Sequence, residues 1–249
     1  MSKPPILLLH SFFSTPGMLS GWVSTLESAG YRVHTPAMPG HDPVDMALLS
    51  RVTLSDYVAH ALAAYDELDE TPIVIGHSIG GLIAQHIAAA RNPNALVLLA
   101  AVPPGVLWPQ LKSLPHLFRL MPDLIKGRPV RPSDETFRAV PLFGLPAPEQ
   151  QDIIDGFVPD SAHVFRSMSL GSRDTRVDAR AVRCPVLCVS GGADRNVATW
   201  ISRRIARRYS AQEHHHPNLP HWIVANSALP QVAPPVMAWI EARVTESVS

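Results

Sequence analysis

The chain has 249 residues, enough for one large domain or two smaller ones with a substantial hydrophobic core. Its 21 basic and 21 acidic side chains cancel, so no excess of charge favours nucleic acid or an anionic membrane surface as a partner. No apolar run is long enough to span a bilayer, and residues 1–5 lead into a strand without the apolar core of a signal peptide.

The sequence contains two cysteines, Cys184 and Cys188. If both lie on one strand, their Cα atoms are about 13 Å apart, whereas a disulfide requires less than about 7 Å. We therefore expect two free thiols and a cytoplasmic protein.

Apolar runs alternate along the chain with segments of helical periodicity, which is the pattern of a parallel sheet covered by helices on both faces. The apolar runs predict six strands, at 5–10, 31–35, 71–75, 95–101, 185–190 and 211–216. Helices are predicted near 18–29, 53–68, 79–91, 197–209 and 230–244.

Residues 103–184 interrupt this alternation, because they hold 11 of the 25 prolines. Short amphipathic pieces at 111–120 and 149–157 lie between the prolines, and this combination indicates a helical cap inserted into the core. A long disordered loop is the alternative, but the segment is rich in Leu, Phe, Ile and Val. The predicted organisation is a core at 1–102, a cap at 103–184 and the second part of the core at 185–249.

The segment Gly76–Gly80, with the sequence Gly-His-Ser-Ile-Gly, joins the third predicted strand to a helical segment. Ser78 therefore falls on a sharp strand-to-helix turn, the G-x-S-x-G pattern that presents a serine nucleophile. Gly76 and Gly80 flank the serine without side chains that would clash. At the N-terminus of a helix, backbone N–H groups also stabilise a developing anion.

A serine nucleophile needs a base to take its proton and a third group to orient that base. With this turn, the partners follow the serine in the order acid, then histidine. Asp194 lies in a glycine turn after the strand at 185–190, whereas the loop after 95–101 contains no carboxylate. The alternative is that Asp194 only caps a helix beginning near Val197. His221 precedes the final helix, where the order places the base.

His214, His215 and His216 form a cluster that could suggest a metal site. Consecutive strand residues point to opposite faces, so at most two of these side chains could share an ion. No cysteine or second carboxylate cluster lies nearby in the sequence to complete a site. We expect neither a metal ion nor another cofactor.

An oxyanion hole needs two backbone donors. The N–H of Ile79 directly follows the predicted nucleophile, and the N–H of Phe12 lies in the loop after the first strand. These two groups are the predicted donors.

The pattern resembles the α/β-hydrolase superfamily, in its small single-domain form with an inserted cap. The matching stretches cover nearly the whole chain and are the loop at His10, Pro39–His41, Gly76–Gly80, Gly191–Asp194 and His221–Trp222. Where the family usually has His-Gly in the first loop, this sequence has Ser11 after the histidine. The resemblance implies an α/β fold with a mostly parallel sheet of about six strands, because the chain begins at the family's third strand. The cap is expected before the penultimate core strand.

Relatives with aspartate at the nucleophile position, the haloalkane dehalogenases and epoxide hydrolases, are excluded by Ser78. The resemblance implies a carboxylesterase that forms an acyl-enzyme on a small to medium hydrophobic ester, using Ser78, His221 and Asp194. The alternatives are a lactonase or thioesterase with the same triad, or a small-molecule sensor with slow turnover. The expected partner is a small-molecule ester, with no nucleic acid and no membrane, and the expected state is a monomer or homodimer. The predicted pocket residues, each of which could instead pack in the core, are His10, Phe13, Val102, Leu107, Trp108, Val197 and Trp222.

Overall fold

A computed structural model describes residues 3–246 of the chain. Six strands form one sheet in the order β2-β1-β3-β4-β5-β6, and every neighbouring pair is parallel. The strands are β1 (Ile6–Leu9), β2 (Val33–His34), β3 (Ile73–His77), β4 (Ala95–Leu99), β5 (Val186–Gly191) and β6 (Gln212–His216).

Helices connect the strands and cover the sheet. Those among the described residues are α1 (Ser20–Ser28), α2 (Met46–Leu49), α3 (Leu54–Asp66), α4 (Ile79–Arg91), α5 (Leu114–Lys126), α6 (Asp134–Ala139), α7 (Ala147–Gly156), α8 (Ala162–Leu170), α9 (Thr199–Tyr209) and α10 (Leu229–Glu246). Short 3₁₀ turns occur at Pro16–Leu19, Leu111–Ser113, Arg173–Thr175 and Ala179–Ala181.

The central strands β1, β3 and β4 are buried on both faces of the sheet, which explains why β1 and β4 are apolar along their whole length and β3 is apolar until Gly76 and His77. Side chains alternate along β1, so Ile6 and Leu8 join the cluster beneath α1 and α10. Leu7 and Leu9 join the opposite cluster, beneath α3, α4 and α9. The predicted α/β fold, a parallel sheet of six strands between two layers of helices, is confirmed.

Several predicted elements differ from the structure in length. The predicted strand at 31–35 forms only the two residues of β2, and β3 extends two residues past the predicted end at Ile75. This extension brings the sheet directly to Ser78, because β3 pairs with β4 through His77 and Leu99.

The segment between β4 and β5 contains four helices. The predicted piece at 111–120 covers the 3₁₀ turn at Leu111–Ser113 and the first half of α5, and the piece at 149–157 coincides with α7 up to Gly156, whereas α6 and α8 were not predicted. A small apolar cluster in this segment joins Leu120 and Leu124 of α5 to Val130 and Ala162. That this segment acts as a cap with limits at 103 and 184 stays a prediction.

Candidate active site

Ser78 lies between β3 and α4 in a strained conformation, with φ of 55° and ψ of −116°. The turn is held by its backbone, because Ser78 N donates to Leu99 O at 3.0 Å and Ser78 O accepts from Val102 N at 2.9 Å. A Cβ atom on Gly80 would lie 2.5 Å from the His10 carbonyl oxygen, and one on Gly76 would overlap the Gly80 backbone. The glycines are therefore required by close packing on both sides of the strained serine.

Ser78, His221 and Asp194 form a continuous chain of hydrogen bonds. The Ser78 Oγ to His221 Nε2 distance is 2.9 Å, and the His221 Nδ1 to Asp194 Oδ2 distance is also 2.9 Å. All three side chains are at least 94% buried. With Nδ1–H donating to the carboxylate, Nε2 is free to accept the serine proton.

The second carboxylate oxygen of Asp194 is also occupied. Its Oδ1 accepts from the backbone N–H groups of Asn196 and Val197 at 2.7 and 2.8 Å. The predicted alternative, that Asp194 only caps a helix near Val197, would use Oδ1, whereas the orienting role uses Oδ2, so the two are not exclusive. α9 itself begins later, at Thr199.

His77 supports the loop of the base, a contact that the sequence did not indicate. Its Nε2 lies 3.0 Å from the His221 carbonyl oxygen, and its ring packs edge-on against Trp222 with centroids 5.1 Å apart. Burial lowers the pKa of His77 to about 3, so the ring is neutral and Nε2–H donates this hydrogen bond.

The two predicted oxyanion donors lie at the turn and in the loop after β1. Within residues 3–246, no protein acceptor takes the N–H of Phe12 or of Ile79. Ser11, at the position where the family usually has glycine, is buried, and its N–H donates to Ser14 Oγ at 3.1 Å. Two residues after Ser11, Phe13 has a φ of 62°.

A cavity of about 630 Å³ opens at Ser78 and His221. Of the predicted pocket residues, five line it: Phe13, Val102, Leu107, Val197 and Trp222. Much of the remaining wall comes from the segment between β4 and β5. Its apolar members include Leu117, Leu120, Leu124, Phe137, Phe165 and Met168.

Two predicted pocket residues lie elsewhere, so their assignment to the pocket was wrong. His10 is buried in its loop, where Nε2 accepts from Met38 N at 2.9 Å and Nδ1 donates to Ser11 O at 2.9 Å. Trp108 is 59% exposed and borders a separate surface depression beside Arg195 and Trp200. Pro109, the residue that follows Trp108, lines the cavity again, so sequence position alone did not reveal that Trp108 lies outside it.

Between residues 3 and 246, no three His, Cys, Asp or Glu side chains come together as metal ligands. No helix in this part of the chain combines the length and apolar character needed to cross a membrane.

Comparison with known proteins gives one family and several relatives. The profile described as "Alpha/beta hydrolase family" matches residues 6–234. A pyrethroid hydrolase of Sphingobium wenxiniae is 30% identical over 145 residues, 54% of this chain and 49% of that protein. A pimeloyl-[acyl-carrier protein] methyl ester esterase of Aromatoleum aromaticum is 32% identical over 130 residues, 51% of this chain and 49% of that protein. The match thus spans about half the length of these relatives.

Among solved structures, a methylesterase from Arabidopsis superposes with a TM-score of 0.70 at 14% identity. The alignment covers 95% of this chain and 98% of that one. At this identity the likeness shows a shared fold.

Proposed function

Because the chain belongs to the alpha/beta hydrolase family, we propose that it is a serine hydrolase that cleaves carboxylic esters. Ser78 is the nucleophile, His221 the base, and Asp194 the group that orients the base. The observation that carries this proposal is the buried hydrogen-bond chain from Ser78 Oγ through His221 to Asp194.

In the proposed first step, Ser78 Oγ forms a bond to the ester carbonyl carbon while its proton moves to His221 Nε2. The carbonyl oxygen becomes an oxyanion that accepts hydrogen bonds from the N–H groups of Phe12 and Ile79. The C–O bond to the alcohol then breaks, and His221 returns the proton to the leaving alcohol. Water attacks the acyl-enzyme with His221 again as base, which releases the acid and restores Ser78.

The proposed substrate is an ester with a small to medium hydrophobic acyl or alcohol part. The wall of the cavity supports this, because most of its side chains are aliphatic or aromatic and its volume is about 630 Å³. Two relatives are named as a pyrethroid hydrolase and a methyl ester esterase, which also favours ester bonds. A cytoplasmic location is part of the proposal, since Cys184 and Cys188 are free thiols.

Lactones and thioesters are the second class of candidate substrates, because the same three side chains act on any activated acyl group. Comparing a lactone, a thioester and a linear ester of equal carbon number ranks these bonds. A slow small-molecule sensor is distinguished from an esterase by its turnover number.

The test measures release of p-nitrophenol from acetate, butyrate and octanoate esters by the wild type and Ser78→Ala. Ser190→Ala is the matched control, because Ser190 Oγ also contacts a histidine, His215 Nδ1, at 3.0 Å but lies outside the cavity. We expect Ser78→Ala to lose at least about 1,000-fold in kcat and Ser190→Ala to retain activity. Absence of turnover by the wild type, or equal losses in both variants, would contradict the proposal.

A further inference from the structure

Asp160 is a buried carboxylate that the proposed mechanism does not use. It lies between α7 and α8, is 1% exposed, and accepts four hydrogen bonds. Oδ2 accepts from Phe13 N and His41 Nε2, both at 3.0 Å. Oδ1 accepts from Tyr57 OH at 2.8 Å and Ser161 N at 2.7 Å.

The donors come from separate parts of the chain. Asp160 therefore connects the inserted segment, which is residues 103–184 between β4 and β5, to the loop after β1, the loop before α2, and α3. His41 is the basic side chain that contacts this carboxylate. Burial alone would lower the pKa of His41, but the attraction and hydrogen bond of Asp160 outweigh it and raise this pKa. The backbone of Asp160 is fixed as well, because it exchanges two hydrogen bonds with Val130, at 2.8 and 2.9 Å.

The contact with Phe13 bears directly on the oxyanion loop. Phe13 has a φ of 62°, a conformation that a non-glycine residue keeps only when its surroundings enforce it. Both polar groups of its backbone are held by the inserted segment: the N–H donates to Asp160, and the carbonyl accepts from Val158 N at 2.8 Å. The peptide unit held by Asp160 joins Phe13 to Phe12, whose own N–H is the proposed oxyanion donor.

We propose that Asp160 is a positioning residue of the oxyanion hole, which aims the Phe12 N–H by holding the adjacent Phe13 amide. The inference rests on the proposed function, because it assigns to the same site a support from outside the triad. It also makes the oxyanion hole depend on the docked inserted segment, since the carboxylate belongs to that segment.

The variant Asp160→Asn tests this role. An amide offers one acceptor oxygen in place of two, so it leaves one of the two donor sets of Asp160 facing an NH₂ group. We expect kcat/KM for p-nitrophenyl butyrate to fall by about 10–100-fold, less than the 10²–10³ typical of losing a whole oxyanion donor.

Two inhibitors separate positioning from general damage. A trifluoromethyl ketone binds as a hemiketal oxyanion, so its Ki should rise by the same factor as kcat/KM falls. The second inhibitor is the ether in which a CH₂ group replaces the carbonyl group of the ester substrate. It is a neutral competitive inhibitor, and its Ki should stay within about 2-fold because it forms no oxyanion and does not use the oxyanion hole.

Ser161→Ala is the matched control for structural loss. Ser161 is fully buried next to Asp160, and its Oγ donates to Val52 O at 2.7 Å and caps α8, but its side chain makes no bond to the oxyanion loop. This variant should lower Tm while kcat/KM and the Ki of the ketone stay within about 2-fold of the wild type. If Asp160→Asn does not fold, Asp160→Glu replaces it, since it keeps the charge but displaces the carboxylate by one methylene.

The outcomes are distinct. Unchanged ketone Ki in a folded Asp160 variant, or equal losses for the ketone and the ether, would overturn the inference while leaving ester hydrolysis intact. If the wild type hydrolyses no ester, the proposed function itself fails.

Discussion

Replacing Asp194 by asparagine should prevent His221 from acting as a base without disturbing the fold. In the wild type, Oδ1 of Asp194 accepts two backbone N–H groups and Oδ2 accepts from His221 Nδ1. An asparagine has one acceptor oxygen, and the two N–H groups of Asn196 and Val197 require it. The NH₂ group then faces His221 and forces the imidazole proton onto Nε2, the atom that must accept the serine proton.

The expected loss of kcat in Asp194→Asn follows from these contacts. Turning the amide the other way would forfeit two hydrogen bonds of about 1 kcal/mol each, which disfavours the active orientation about 30-fold. Losing the buried carboxylate also removes a charge-assisted hydrogen bond to the imidazolium that forms in the reaction, worth up to about 3 kcal/mol. Together these effects raise the barrier by about 5 kcal/mol, which lowers kcat by a few thousand-fold.

The assay is steady-state hydrolysis of p-nitrophenyl butyrate at neutral pH, with Tm measured on the same samples. Asp178→Asn is the control, because Asp178 is exposed and caps a short 3₁₀ turn by accepting from Arg180 N at 3.0 Å. A loss below about 10-fold in Asp194→Asn, with the Tm unchanged, would refute the assignment of Asp194 as the orienting group.

Three further predictions concern the turn, the stability and the cavity. Gly80→Ala should abolish ester hydrolysis, because its Cβ would lie 2.5 Å from the His10 carbonyl oxygen. A variant with wild-type kcat would show that the turn accommodates a methyl group at this position. Burial lowers the pKa of His10 to about 4, below its unfolded value near 6.5, so the unfolded chain binds more protons at acidic pH. The free energy of unfolding should therefore drop by about 2 kcal/mol from pH 6.5 to 5 on account of His10. Urea unfolding at a series of pH values should show that the free energy of unfolding of His10→Asn falls less steeply with decreasing pH than that of the wild type. An equally steep fall in the two proteins would count against a neutral buried ring. Leu117→Trp, on the half-buried cavity wall, should reduce kcat/KM for the octanoate ester at least about 10-fold more than for the acetate, whereas parallel losses would place the acyl chain elsewhere.

The parts of the site that sequence patterns predicted are those fixed by local geometry and chain order. The turn at Ser78 is encoded within a few residues, because the apolar strand, the two glycines and the helical segment are contiguous. Asp194 and His221 follow from the order of elements along the chain, since parallel strands end at the same edge of the sheet. The structure brings these three side chains together at hydrogen-bond distance.

The parts that sequence patterns missed depend on contacts between distant segments. Asp160 meets Phe13, His41 and Tyr57, which lie 147, 119 and 103 residues away along the chain. The periodicity of α5 indicates an amphipathic helix, but it does not show that Leu117 and Leu124 face the cavity at Ser78. Neighbouring residues of the sequence were also predicted to share the pocket when they do not. Trp108 directly follows Leu107, yet it borders a separate surface depression.

The identity of the nucleophile is the central claim, and covalent labelling tests it most directly. The wild type is incubated with a fluorophosphonate, digested, and the modified peptide identified by mass spectrometry. We predict one phosphonylated site, Ser78, with labelling lost in Ser78→Ala and slowed at least about 100-fold in His221→Ala. An adduct on another residue, or no adduct in an enzyme that hydrolyses esters, would contradict the assignment.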